Sequence, residues 1–328
     1  MASLKENWRE FIYAMIKREP VWFYDLGGDW YKSPLFHADF RQMHKIYRQV
    51  TKEEISWQTP VALFYDEKSC DGVSLTKGDW GCFRPFTMAA EIQRMAALCG
   101  VPYDMYELED IYDLDLSKYK VLYFQNAWRY DAKFAKFLQE KVYPAGKTVI
   151  WVYGAGYGQK GGVKGMKEYT GFDFEVLPLG NPLYYKAVDG RMIGYPGMKG
   201  TEIFAVKGKA NVLGTYENGK TAAAWKKVGK GASFYFAAHD KNGWLMRKVL
   251  QQAGINPLVD RSDRVVYDGR NFGLIAVDGP GVRTITLPEG NIARVFDLIN
   301  GKEVKFEGSS FKVFAAPGDA KLFRIDFK

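Results

Sequence analysis

The 328 residues are 47% hydrophobic and 26% charged, a globular balance, and exceed what one ordinary core organises, so two or three domains are expected. No apolar run approaches the ~20 residues needed to cross a bilayer, and the opening "MASLKENWREF" has no uninterrupted apolar stretch, which argues against a membrane span and a secretory signal. The net charge of +8 is scattered apart from a local "QKGGVKGMK" and comes with no recognisable nucleic-acid module, so nucleic acid is not expected as a partner.

The first element is an amphipathic helix from Leu4 to Arg18, where Trp8, Phe11, Ile12, Met15 and Ile16 recur at helical spacing. Pro20 ends it. "VWFYDL" (21–26) then reads as a strand buried on both faces, because the run is continuously apolar. A loop, "GGDWYKSP", leads into a second helix from Pro34 to about Arg48. Gln58, Thr59 and Pro60 mark a boundary.

Beyond it, "VALFYD" (61–66) and "TVIWVY" read as buried strands, and "YDMYEL" (103–108) and "KVLYFQN" (120–126) as strands. Helices are expected at Pro85–Leu98 and, capped by Asp131, through about Val142. Alternation of this kind predicts an α/β fold with a doubly wound parallel sheet. Between 208 and 239 the pattern changes to short antiparallel strands with an Asn218-Gly219 hairpin signal, and "NGWLMRKVLQQAGI" (242–255) is a helix. After Pro257, short alternating strands separated by glycine turns predict a small antiparallel β-sandwich.

The chemistry candidates are weak. Cys70, Cys82 and Cys99 form no CxxC pair and no metal-ligand spacing with His37, His44 and His239, so reduced thiols, no metal and a cytoplasmic location are expected. The run Glu107, Glu109, Asp110, Asp113 and Asp115 surrounds leucines and reads as a solvated turn. His239-Asp240 follows a strand but has no nucleophile to activate.

The glycine-rich turn after "TVIWVY" has the outline of a nucleophile elbow. Setting Gly154 and Gly158 as its glycines puts Gly156 at the centre, and the tighter setting with Gly154 and Gly156 puts Ala155 there; neither has a reactive atom. Gln159 breaks the dinucleotide-binding pattern and no phosphate-loop Gly-Lys-Ser/Thr follows, so no cofactor is expected. Aromatic content is 16%, with 9 Trp and 21 Tyr, and such side chains stack on sugar rings as well as filling cores. The candidate contacts for a sugar or partner are therefore Trp22, Asp25, Asp29, Trp30 and Tyr31 in the first aromatic loop, and an exposed Trp128-Arg129-Tyr130 after a strand.

Three stretches carry a family resemblance: "NWREFIYAMIKREPVWFYDLGGDWYKSPLFHADFRQMHKIY", "EIQRMAALCGVPYDMYELEDIYDLDLSKYKVLYFQNAW…KVYPAGKTVIWVYGAGYGQ", and "VRTITLPEG…VFDLINGKEV…AKLFRIDF". In this order they resemble the carboxyl-terminal half of a glycoside hydrolase family 42 β-galactosidase. The resemblance implies a helix–strand–helix end of a (β/α)₈ barrel over 1–57. It further implies a flavodoxin-like trimerisation domain of class I glutamine amidotransferase type over 58–257, and a β-sandwich over 258–328. It implies a homo-oligomer, a trimer in that family. The family's catalytic glutamates lie on earlier barrel strands, so no catalytic residue carries over. The resulting expectation is a non-catalytic assembly portion of a sugar hydrolase. The alternatives are a free-standing carbohydrate-binding protein and an amidotransferase-like enzyme, the last disfavoured by the empty elbow.

Overall fold

The computed structural model describes residues 2–24, 27–29, 31–71, 93–178, 180–195 and 202–328. Contacts divide the chain into two compact units: Thr59–Ala96 with Tyr103–Ile255, and Met1–Gln58 with Ala97–Pro102 and Asn256–Lys328.

The first of these is built on a mixed sheet of 11 strands. Its leading elements are β1 (Val61–Tyr65), a single turn α3 (Lys68–Asp71), β2 (Asp104–Glu107), β3 (Val121–Phe124), α4 (Ala132–Phe137), β4 (Thr148–Val152) and α5 (Gly162–Thr170). There follow β5 (Asp173–Leu177), β6 (Leu183–Ala187), β7 (Met192–Tyr195), β8 (Ile203–Lys207), β9 (Asn211–Thr215), β10 (Thr221–Val228), β11 (Gly231–Phe236) and α6 (Trp244–Gln252). The spatial order is β2-β1-β3-β4-β11-β10-β9-β6-β7, with β8 joining β5 to β10. Neighbours from β2 to β11 are parallel, and from β11 outward every pairing is antiparallel. The strands expected at 61–66, 103–108, 120–126 and from 148 are thus present, and their parallel array is one side of a longer mixed sheet.

The central parallel strands β1, β3 and β4 are almost wholly apolar and buried, as strands covered on both faces are, whereas the edge strand β2 alternates between half-buried and exposed residues. On one face the register sets Phe64 beside Phe124 and Phe124 beside Trp151. Their rings stack at 5.2 and 4.6 Å between centroids, a ladder across three strands. Phe134 of α4 sits edge-on to Phe124 at 5.2 Å, so the helix is seated by the same ladder. Asp131 caps α4, accepting from the amides of Lys133 and Phe134 at 2.7 and 3.3 Å, and the helix runs on through Val142 as a widened turn. Residues 93–97 are helical; the remainder of the helix expected from Pro85 lies outside the described residues. The acidic run forms two tight 3₁₀ turns, with Leu108 and Ile111 buried.

In the second unit, α1 (Ala2–Lys17) and α2 (Pro34–Val50) join two antiparallel sheets. One comprises β12 (Arg264–Tyr267), β13 (Asn271–Ile275), β19 (Ala320–Phe327), β15 (Ile292–Asp297) and β16 (Lys302–Glu303); the other β14 (Gly281–Thr286), β18 (Ser310–Ala315) and β17 (Phe306–Glu307). Phe272, Leu274, Phe323 and Ile325 of the first sheet share one buried cluster with Ile285 and Phe311 of the second. A separate cluster puts Phe11, Ile12, Met15 and Ile16 of α1 and Met43 and Ile46 of α2 against Val266 and Leu322. Gly273 makes this possible: a Cβ there would lie 2.4 Å from Ile12 Cγ2.

Within the sheets, Arg283 and Asp263 form an ion pair at 2.8 Å with both side chains fully buried. Arg283 also donates to the carbonyls of Gly281, Ala315 and Asp278, while Asp263 accepts from the amides of Val277 and Asp278. Every donor and acceptor is thus engaged, which is the condition for tolerating buried charge.

One expected strand is absent. Residues 21–24 pair with no strand among the described residues, and their side chains alternate: Val21 and Phe23 half-buried, Trp22 76% and Tyr24 58% exposed. Phe23 stacks on Phe40 of α2 at 4.7 Å. A continuous apolar run predicts burial on two faces, whereas among the described residues only the Val21 and Phe23 side is partly covered.

Candidate functional site

Strands β1, β3, β4 and β11 all end on one edge of the parallel sheet, where open α/β sheets take their ligands. The turn after β4 occupies the centre of that edge. Three non-glycine residues of the turn, Tyr153 (φ +61°), Gln159 (φ +45°) and Lys160 (φ +74°), lie in the left-handed region that favours glycine, and Tyr153 is the bulkiest of them. The backbone thus reverses both at Tyr153, the first residue after the strand, and at Gly156, the centre of the wider glycine setting, at φ +74°.

The following glycines serve close packing. A Cβ on Gly156 would sit 2.8 Å from the Gly165 carbonyl, and one on Gly161 would sit 2.0 Å from the Gly156 carbonyl. Their amides are also committed, since Gly156 N donates to Ala127 O and Gly158 N to Trp128 O, each at 2.8 Å. A phosphate cradle needs such amides aimed at the ligand. Here they stitch the turn to the 127–130 loop.

Around the turn, the phenol of Tyr153 donates to the Glu202 carbonyl at 2.8 Å, and that of Tyr157 to the Glu202 carboxylate at 3.0 Å. Phe204 lies under both rings, at 5.4 Å from Tyr153 and 4.6 Å from Tyr157. Burial, then the carboxylate acceptor, pushes the Tyr157 hydroxyl above its ordinary range.

At the end of β1 a second polar group forms. The Asp66 carboxylate accepts from the Ser69 hydroxyl, whose oxygen accepts from the amides of Trp128 and Arg129 at 3.0 and 2.8 Å. Asn126 brackets the Asp66 backbone, accepting from its N–H at 2.8 Å and donating to its carbonyl at 2.9 Å. Burial raises the Asp66 pKa, opposed by the Ser69 hydrogen bond and the Arg129 charge. Nearby, burial raises Glu107 as well, with the Glu67 and Asp66 carboxylates adding to it. Every short-range role visible here ties β1 to β3.

The residues singled out from sequence separate into two groups. Trp128 is only 7% exposed, its indole donating to the Val152 carbonyl, so the expected exposed tryptophan is a packing residue. It is buried because the turn amides pull its loop against β4. Arg129 is half-buried beside Asp131, and Tyr130 hydrogen-bonds Glu168. In the other unit, Trp22 lies edge-on to Tyr24 at 5.3 Å with both exposed, Tyr31 packs on Phe23, Phe36 and Phe40, and Asp29 pairs with Lys32 at 2.8 Å. Asp25, Trp30 and Cys82 lie outside the described residues.

Tyr153, Tyr157 and Glu202 were missed by sequence reading. The signal was present for Tyr153, the first residue after the strand. Glu202 carries no such mark, since only folding brings it alongside.

A groove of about 640 Å³ opens between α4 and α5, lined by Tyr130, Lys136, Gln139, Lys164, Lys167 and Glu168. Its lysines are already matched: Lys136 with Glu140 and Lys164 with Glu168 at 3.8 Å, and Lys167 with Asp173 at 2.7 Å. It offers an anion little uncompensated charge. His239 is buried at the end of β11 against the Tyr195 hydroxyl. Among the described residues, no group of three or more His, Cys, Asp or Glu is placed to hold a metal, and no helix is long and apolar enough to cross a membrane.

No protein-family model and no curated protein matches the sequence. Solved structures do match in fold. A β-galactosidase from Bacillus circulans sp. alkalophilus aligns over 88% of this chain and 45% of its own, with a TM-score of 0.62 and 18% identity. Gan42B, a β-galactosidase of glycoside hydrolase family 42 from G. stearothermophilus, aligns over 88% and 44%, at 0.58 and 16%. An α-L-fucosidase isoenzyme from Paenibacillus thiaminolyticus aligns over 89% and 53%, at 0.50 and 15%. The chain thus spans a little under half the length of the β-galactosidases it matches, and what it shares with them is a fold.

Proposed function

We propose that this chain is a non-catalytic assembly portion of a β-galactosidase-like glycoside hydrolase, acting in carbohydrate metabolism in the cytoplasm. The observation that carries the reading is the length of the match, 88% of this chain onto 45% of a β-galactosidase. In this reading the parallel strands in the order β2-β1-β3-β4-β11 form a flavodoxin-like core of amidotransferase ancestry. The two antiparallel sheets are the terminal β-sandwich, and α1 and α2 are the end of a barrel. The likeness supports homotrimeric assembly by the mixed-sheet domain. The elbow supports the absence of amidotransferase chemistry, because neither Tyr153 nor Gly156, where its backbone reverses, is the cysteine nucleophile that chemistry needs.

The test is direct. The purified chain should not hydrolyse a nitrophenyl β-galactoside and should scatter light as a trimer. Robust turnover overturns the non-catalytic reading, and monomer at high concentration overturns the assembly role. A second reading, a free-standing carbohydrate-binding protein, is favoured by the exposed Trp22–Tyr24 pair. It predicts sugar binding that Trp22→Ala abolishes.

A further inference from the structure

We infer that the elbow after β4 is a binding site for a pyranose ring, formed by Tyr153, Tyr157 and Glu202. The inference rests on the carbohydrate reading above and places the ligand away from the aromatic loop at 21–31. Its starting point is a cost. A bulky residue at φ +61° is strained by roughly 1–3 kcal/mol. Glycine, which is unstrained there, is used all around it, at 154, 156, 158, 161, 162 and 165. The ring packs against Trp128 and Phe204 as a phenylalanine would, and the hydroxyl adds a hydrogen bond to the Glu202 main-chain carbonyl at 2.8 Å.

That bond fixes Tyr153 beside the Glu202 backbone, while the Tyr157 hydroxyl donates to the Glu202 carboxylate. Two phenols and a carboxylate therefore converge at the rim of the sheet's ligand-binding edge, with Glu202 exposed and both tyrosines half-exposed. A carboxylate accepts from neighbouring ring hydroxyls through charge-assisted bonds. Phenol rings supply the apolar face that lies on the C–H side of a pyranose, and their hydroxyls donate or accept as the sugar requires. The amides of Gly156 and Gly158 are committed to the 127–130 loop and so do not cradle a phosphate.

The test is saturation-transfer NMR on the whole chain with methyl β-galactoside, and with galactitol as an acyclic control. Saturable binding in the millimolar range is expected for the ring sugar only. Glu202→Gln, a surface change that spares the fold, should weaken it about tenfold. Tyr157→Phe should weaken it too, and Tyr153→Phe should do so while keeping the ring and the strained backbone. Binding left intact by all three but lost in Trp22→Ala overturns the elbow site and leaves the carbohydrate reading standing. Equal binding of galactitol, or none of methyl β-galactoside, also overturns the site. In either case the trimer and hydrolysis measurements decide the assembly reading on their own.

Discussion

Replacing Arg283 by Met should be among the most damaging single changes in the unit that holds the two antiparallel sheets. The substitution removes a cation that is fully buried against Asp263 and leaves the carboxylate with only the Val277 and Asp278 amides, at 2.6 and 2.9 Å. It also strips donors from the carbonyls of Gly281, Ala315 and Asp278. Breaking a buried pair from one side costs about 3–5 kcal/mol, a large part of the ~5–15 kcal/mol that a domain has in total. The carboxylate's two amide bonds keep the loss toward the lower end of that range. Removing both charges, as Arg283→Met with Asp263→Leu, should cost less than the sum of the single changes, because no charge is then left alone. Hydrogen exchange at residues 281–286 and 310–315, read with urea unfolding, measures this locally. A loss under about 1 kcal/mol in the single variant, or strict additivity in the double, would refute the reasoning.

Gly161→Ala should cost about 2 kcal/mol or more, because its Cβ meets a backbone carbonyl at 2.0 Å and Tyr130 Cβ at 2.5 Å. Gly162→Ala, at φ +56° with open space around it, should cost about 1 kcal/mol; equal midpoints for the two in thermal unfolding would contradict this. Asp66 has a raised pKa, so the native state holds its proton more tightly than the unfolded chain does. That contribution to stability is present in acid and lost as pH rises past the ordinary carboxylate range. Asp66→Asn should therefore gain stability relative to the parent as pH rises through and beyond the ordinary carboxylate range, measured as urea midpoints, and an offset that does not change with pH would count against it. Gly273→Val should push α1 off β13 and expose Ile12 and Ile16, detected as dye binding and faster exchange in α1 with the mixed sheet unaffected.

Much of the mixed-sheet unit was legible in the residues. Runs such as "VALFY" and "TVIWV" are apolar at nearly every position because nearly every position is buried, and Asp131 marks its helix start by the side-chain bonds it makes. "VWFYDL" misled because continuous apolarity reports composition, not the number of covered faces, and Trp22 and Tyr24 face outward. Trp128 misled in the opposite direction: polar neighbours suggested exposure, but amide bonds from Gly156 and Gly158 hold its loop down. The elbow was half-legible. Its position follows from where β4 ends, whereas its partner Glu202 is 49 residues away from Tyr153 and reaches it only through the sheet.

The packing of α1 and α2 on β12, β13 and β19 has a consequence for the order of folding. Lys5 pairs with Asp319 across 314 residues, so this unit cannot close until nearly the last strand has been made. The mixed-sheet unit lies between these ends and its contacts fall within 59–96 and 103–255, so it can fold on the growing chain first. Meanwhile Phe11, Ile12, Met15 and Ile16 wait with their final partners unmade. Long-range closure of this kind is slow and leaves apolar surface open to other chains. Speed of synthesis and chaperone supply should therefore govern the yield of this protein more than the stability of either unit once formed.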